Sequence, residues 1–295
     1  MFTFSLLWRG LASLSLLLTL LLTATGCTQE PPGPIISADR GSSGSTAVNA
    51  DARPLAAYDQ LVWSDEFDAS SLDLTKWSYE VRDVCFNNEL QATTNSRNNV
   101  TLLNGNLQIT ALQQALNGRT YTSGRIVTKG KQSFTFGRID VRARLPKGKG
   151  LWPAIWMLGA NDSQVSWPAC GEIDIMELRG SNPRTVLSTM HFGLAPASAQ
   201  YKGSNYTLPS TVGGDFSTDF HVFSVVRSLN KIEFYVDNVP SYTFTANDAS
   251  PYAFNNPFYL ILNVAVGGDF DGNPDANTTF PQTMQVDYVK FFQYK

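Results

Sequence analysis

Apolar and polar residues alternate with a period of two along much of the chain, and that period predicts strands. Gly137-Arg138-Ile139-Asp140-Val141-Arg142-Ala143-Arg144-Leu145 alternates without a break and reads as a half-buried strand with one wet face. Lys231 to Val236 alternates too. It meets the turn pair Asp237-Asn238, and Pro240 to Thr245 follows, so these segments read as a hairpin. Phe258 to Val266 is apolar nearly throughout, which places it as a central strand covered on both faces. Val286 to Phe292 closes the chain as a further strand. No stretch beyond residue 27 sustains a helical period with caps, and no internal repeat is present. Many short strands punctuated by Gly, Pro and Asn predict an all-β fold, a two-sheet antiparallel sandwich or jelly roll.

One strand breaks its own pattern. Residues 171–178 read Gly-Glu-Ile-Asp-Ile-Met-Glu-Leu. Strand alternation sends Glu172 and Asp174 to one face and Ile173 and Ile175 to the other. Glu177 lies five positions after Glu172, so a regular strand turns it to the opposite face. One extra residue near Met176, a β-bulge, brings it back beside the other two acids. Three carboxyls on one face are costly unless solvated or paired, and no basic residue in the stretch pairs with them. An open, wet cleft is therefore expected around them. The alternative is an edge strand whose solvated acids keep it from aggregating. Paired glutamates in a cleft suit glycosidic bond cleavage, where a retaining enzyme holds two carboxyls about 5–5.5 Å apart. Four strand steps of ~3.3 Å separate the two Cα atoms by roughly 13 Å, a gap that two side chains leaning together can close. Asp174 between them can hydrogen-bond one and separate their pKa values.

Of the 295 residues, the first part is not fold. Leu11 to Leu22 is an apolar run with the length and position of a signal-peptide core. It ends at Ala24-Thr25-Gly26-Cys27, which resembles a bacterial lipoprotein signal with Cys27 as the lipidated residue. Ordinary cleavage and secretion is the alternative. Either way the protein is expected to be exported. Residues 28–57, with Pro31-Pro32-Gly33-Pro34 and Gly41 to Thr46, read as a flexible tether. Residues 58–295 then form one β domain, expected as a monomer. A net charge of −3 supplies no basic field for nucleic acid. Cys85 and Cys170 permit a bridge in an oxidising compartment, or stay as two thiols. With only His191 and His221 as histidines, a zinc site is not expected.

Further motifs stand in order around this strand. They are Trp63-Ser64-Asp65-Glu66-Phe67, Asn87-Asn88-Glu89-Leu90-Gln91, Tyr121-Thr122-Ser123-Gly124-Arg125 and Phe136-Gly137-Arg138. Leu145-Pro146-Lys147-Gly148-Lys149-Gly150-Leu151-Trp152-Pro153-Ala154 and Trp167-Pro168-Ala169-Cys170-Gly171-Glu172 follow. Leu262-Asn263-Val264-Ala265-Val266-Gly267-Gly268 and Phe280-Pro281-Gln282-Thr283-Met284 complete the series. Together they resemble the laminarinase-type members of glycoside hydrolase family 16.

The resemblance implies a jelly roll with a sugar cleft along its concave face and hydrolysis of β-1,3-glucans with net retention. It implies Glu172 as nucleophile, Glu177 as acid/base, and Asp174 as the acid that orients and tunes Glu172. The bulged E-x-D-x-x-E spacing is similar to enzymes of β-1,3-glucans and some algal galactans, whereas E-x-D-x-E belongs to lichenases and xyloglucan enzymes. Trp152 and Trp156 share a face and can stack on sugar rings, with a core position as the alternative for Trp156. Trp167, before the acids, can line the other side. Asn88, Glu89, Arg125 and His191 are candidate partners for sugar hydroxyls, and His221 reads as structural. The chemistry needs no cofactor. Family position also implies a structural calcium ion held by main-chain carbonyls of Glu66 and Gly105 and the Asp287 carboxylate.

Three other readings compete with an endo-β-1,3-glucanase. A mixed-linkage β-1,3-1,4-glucanase and a galactan hydrolase belong to the same family. A β-glucan recognition protein is the non-enzymatic one, and such relatives replace one or both glutamates. Retention of Glu172, Asp174 and Glu177 favours catalysis.

Overall fold

The computed structural model describes residues 48–83 and 86–295. The proposed signal, Cys27 and the tether up to residue 47 lie outside the described residues, as does Cys85 with the bridge suggested for it. Strands run in chain order as β1 (Gln60–Asp65), β2 (Ser78–Tyr79), β3 (Arg82–Asp83), β4 (Gln91–Thr93), β5 (Val100–Leu103) and β6 (Asn106–Ala111). Next come β7 (Tyr121–Ser123), β8 (Arg125–Val127), β9 (Gly137–Arg144), β10 (Leu151–Gly159), β11 (Glu172–Leu178) and β12 (Thr185–Phe192). The last six are β13 (Gln200–Thr207), β14 (His221–Ser228), β15 (Lys231–Val236), β16 (Val239–Thr245), β17 (Phe258–Val266) and β18 (Gln282–Gln293).

These strands build two antiparallel sheets and a small third one. The cleft sheet has the order β13-β12-β11-β10-β17-β8-β2. The outer sheet runs β16-β15-β14-β9-β18-β6-β5, with β1 also paired to β18. Inward residues of both sheets form one apolar core. Ile155, Met157, Ile173, Met190, Leu260 and Leu262 come from the cleft sheet. Val141, Val225, Phe234 and Val289 come from the outer one. This is the sandwich expected from the alternation.

The alternating segments fold as expected. Asp237 and Asn238 take φ of 51° and 64°, the left-handed pair that joins β15 to β16 tightly. β17 is buried at all nine positions, because β10 and β8 flank it and both of its faces are covered.

The residues just before 58 hydrogen-bond to the domain. Asn49 donates from Nδ2 to the Tyr294 carbonyl at 3.2 Å and accepts the Tyr294 N–H at 2.5 Å. The Leu229 N–H reaches the Ala50 carbonyl at 2.7 Å. Residues 49–57 lack an apolar period because their hold on the domain is made through hydrogen bonds, which periodicity does not register. Among the described residues no helix is long and apolar enough to cross a membrane.

Candidate active site

β11 carries the acids, and its register shows the bulge directly. Leu158 of β10 opposes Glu172, Trp156 opposes Asp174, Ile155 opposes Met176 and Ala154 opposes Glu177. Ile175 has no partner in that series, so five steps on β11 match four on β10. Ile175 and Met176 both turn into the core, while Glu172, Asp174 and Glu177 share the opposite face. β12 shows the same shift between Asp174 and Glu177. The bulge frees the Ile175 carbonyl from the ladder, and the Ser188 hydroxyl donates to it at 3.0 Å.

Gly171 sets the entry to this strand with φ of 81°. A Cβ there would lie 3.0 Å from Phe258, 3.2 Å from Ala253 and 3.2 Å from Phe254, so glycine alone fits the backbone and the space.

The acids are less exposed than an open, wet cleft implies. Asp174 is 3% exposed, Glu177 8%, and the Glu172 side chain 18%. Neighbouring strands rise around them because Trp152, Trp156 and His191 project from the same face. Burial pushes all three carboxyls up to about 8. Asp174 adds to the rise at both glutamates through charge repulsion. The three carboxyls therefore titrate as a coupled unit, in which burial favours the protonated forms. The nearest base is His191, whose Nε2 lies 3.3 Å from Asp174 Oδ2 and 3.8 Å from Glu172 Oε1.

Glu177 is held by an aromatic stack. The Trp152 indole N–H donates to Glu177 Oε1 at 2.8 Å. Phe270 stacks on the Trp152 ring at 4.7 Å between centroids. Arg179 lies over Phe270 at 4.1 Å and donates from Nε to the Phe270 carbonyl at 2.7 Å. Asp271 accepts the Gly150 N–H at 2.9 Å and bonds Ser181, which ties the Phe270 loop to β10 and to the end of β11. Nothing in the sequence around Phe270 distinguishes it. A lone aromatic in a Gly- and Asp-rich loop has no periodicity to mark its partner.

The other candidates fall on both sides of β11, and most already have partners. Trp156 donates to Asn263 Oδ1 at 2.7 Å, and Arg125 covers its ring at 4.8 Å. Trp156 thus faces the cleft rather than the main core, with Val127, Tyr259 and Ile261 packed beside it. Arg125 also pairs with Glu80. Glu89 accepts the Gln91 amide at 2.6 Å, and burial raises its pKa against that bond. Asn88 donates to both oxygens of Asp269, at 2.9 and 3.2 Å. The close approach of these two loops needs Gly268, where a Cβ would come within 2.7 Å of the Asn87 carbonyl. Trp167 lies 6.2 Å from His191 between ring centres, and its indole N–H is directed at the Glu172 carboxyl, where it favours the ionised form. His221 bonds Asp237 at 2.7 Å on the outer sheet, away from the acids.

The three positions expected to hold calcium lie where β1 and β6 meet β18 of the outer sheet. Asp65 opposes Val289 and Leu107 opposes Val286, which brings Glu66 and Gly105 alongside Asp287. Oxygen donors there fit calcium in kind. The Asp287 carboxylate already accepts a hydrogen bond from Arg142 at 2.5 Å, and an ion would share it. The Glu66 side chain turns to Lys290 at 3.2 Å, which leaves only its main chain for such a role.

Two glutamates and an aspartate on one sheet face, flanked by cleft-facing tryptophans, define a glycoside hydrolase on a β-sandwich. Residues 86–290 match the model of glycosyl hydrolases family 16, and the chain belongs to that family. It is 41% identical over 265 residues to a glucan endo-1,3-β-glucosidase A1 of Niallia circulans, a match covering 81% of this chain and 39% of that protein. It is 39% identical to a β-glucanase of Rhodothermus marinus, covering 85% of this chain and 91% of the relative. The catalytic domain of an endo-1,3-β-glucanase (laminarinase) from Thermotoga petrophila superposes with a TM-score of 0.75 at 41% identity. That superposition covers 80% of this chain and 98% of the other.

Proposed function

We propose that the protein is a retaining endo-hydrolase of β-1,3-glucans, with Glu172 as nucleophile and Glu177 as acid/base. The bulge carries this reading, because it alone puts both glutamates on one face with Asp174 between them. In the first step Glu177 gives its proton to the glycosidic oxygen while the Glu172 carboxylate attacks the anomeric carbon. The carbon–oxygen bond to the leaving sugar breaks, and a glycosyl ester forms on Glu172. In the second step Glu177 takes a proton from water, whose oxygen attacks the same carbon and releases Glu172. Two inversions give net retention. His191 beside Glu172 favours the ionised nucleophile. Asp174 orients Glu172 and repels a second negative charge. Asn88, Glu89, Arg125, Trp152, Trp156, Trp167 and His191 are the proposed substrate contacts. The β-1,3 preference rests on the relatives' activities and on the E-x-D-x-x-E spacing.

Digestion of laminarin, curdlan, mixed-linkage glucan, agarose and carrageenan, with early proton NMR of the new chain ends, tests the proposal. Short β-1,3 oligosaccharides with initially β ends are expected. Binding to laminarin without product would make the chain a recognition protein, and cleavage of a galactan alone would change its substrate. Glu172→Gln and Glu177→Gln should each lower turnover by about 10²-fold or more with no loss of melting temperature. Full activity in either variant would remove the assignment.

Outside the chemistry, the same reading includes export with lipid on Cys27, and calcium at Glu66, Gly105 and Asp287. Chelation is expected to lower the melting temperature without altering the cleavage pattern. An unchanged melting temperature would exclude the ion.

A further inference from the structure

β13 is the outermost strand of the cleft sheet, and its wet side continues the face that carries the acids. Glu172 opposes His191 on β12, and His191 opposes Tyr201 on β13. Residues opposed in an antiparallel pair share a face, so Tyr201 lies on the same side as Glu172. Thr189 and Gly203 extend the Asp174 row, and Leu187 and Asn205 extend the Glu177 row. Along β13, Gln200 to Gly203 are all exposed, and from Ser204 on half-buried Ser204 and Tyr206 alternate with exposed Asn205 and Thr207, so the cleft-side positions Tyr201, Gly203 and Asn205 are all open.

Tyr201 is 73% exposed, unusually bare for a large ring. The ring is not isolated, however. Its centre lies 5.8 Å from His191, and His191 lies 6.2 Å from Trp167. Trp167, His191 and Tyr201 thus form a row of rings from beside Glu172 to the open edge of the sheet. Two strand spacings of ~4.8 Å place β13 roughly 10 Å from the acid strand, about the reach of two pyranose rings. Gly203 has no side chain, so the floor beside Tyr201 stays open, and the Asn205 amide stands next along the strand.

We propose that Tyr201 forms an outer sugar subsite, stacking on a pyranose ring of the glucan about two residues from the scissile bond, with Asn205 available to its hydroxyls. The subsite rests on the glucan-hydrolase reading and deepens it, because it makes the enzyme favour long chains. Pyranose rings present axial C–H patches that an aromatic face can cover, and a phenol edge adds a hydroxyl at the rim.

The test compares a six-unit with a three-unit β-1,3-gluco-oligosaccharide on the full chain. The readout is the ratio of kcat/KM for the longer to the shorter substrate, which a loss of general stability does not change. Tyr201→Ala should lower that ratio about three- to tenfold, with Tyr201→Phe restoring most of it. Tyr201→Trp, a wider ring at the same place, should hold or raise the ratio. An unchanged ratio in an active Tyr201→Ala variant would overturn the subsite and leave the hydrolase reading intact. If the native chain cleaves neither oligosaccharide nor the parent glucan, the hydrolase reading fails and the subsite goes with it.

Discussion

At the scale of single residues, the acid/base is set by a group it touches and by others it does not. The Trp152 N–H bonds Glu177 and favours its ionised form. Phe270 and Arg179 hold that indole in place from the far side. Replacing Phe270 with Leu frees the ring and weakens the bond to Glu177. The carboxyl then loses a stabiliser of its charged form, and its pKa rises. The basic limb of the pH–rate profile, where the acid loses its proton, should move to higher pH. Trp152→Phe, which deletes the N–H, should move it the same way. A basic limb fixed in both variants would show that the stack only packs the loop. This chain of contacts was closed to sequence reading beyond Trp152 and Glu177. Phe270 lies over 90 residues from both, and no spacing rule joins a loop residue to a strand so distant.

At the scale of elements, the acid strand was the most legible part of the chain. Its three acids conflict with strict alternation, and only an inserted residue reconciles them. The sequence placed the bulge near Met176, and the structure resolves it at Ile175 and Met176, both core residues. The degree of burial was not legible, because it depends on Trp152, Trp156 and His191 rising from neighbouring strands. β13 was missed entirely. Gln200 to Thr207 contains no aliphatic residue, and an edge strand wet on its cleft face gives no apolar alternation to detect. The bulge needs support that regular ladders do not. Its Ile175 carbonyl depends on the Ser188 hydroxyl. Ser188→Ala leaves that buried acceptor unpaired, at a cost of about 1–3 kcal/mol. Since the bulge alone brings Glu177 round to Glu172, turnover should fall further than stability does. Urea denaturation beside kinetics checks both. A variant with native kcat and lowered stability would confine Ser188 to a structural role.

At the scale of the whole molecule, the site is maintained against the stability of the fold. Burial holds Glu172, Asp174 and Glu177 at pKa values near 8, far above the range of about 4 for carboxyls in the unfolded chain. Between those values the folded protein binds more protons than the unfolded one, so stability must fall as pH rises. The contribution is whole below about pH 4 and is lost as pH climbs through about 8. A second group of carboxyls acts in the opposite sense. Asp215 and Asp237 have lowered pKa values; burial opposes the shift, but hydrogen bonds from Ser217 and His221 outweigh it. They add stability above the ordinary carboxyl range, which is lost only as pH drops below it. The two sets act in separate windows, and between pH 5 and 8 the cleft acids dominate. The melting temperature should therefore decline across that interval by about 5 °C or more. Glu177→Gln removes one of the groups whose ionisation drives the decline, so its profile should be flatter and should rise above the native one toward pH 8. A native melting temperature that stays level or climbs from pH 5 to 8 would mean the acids ionise freely in the fold, and the buried, proton-sharing cluster would have to be given up.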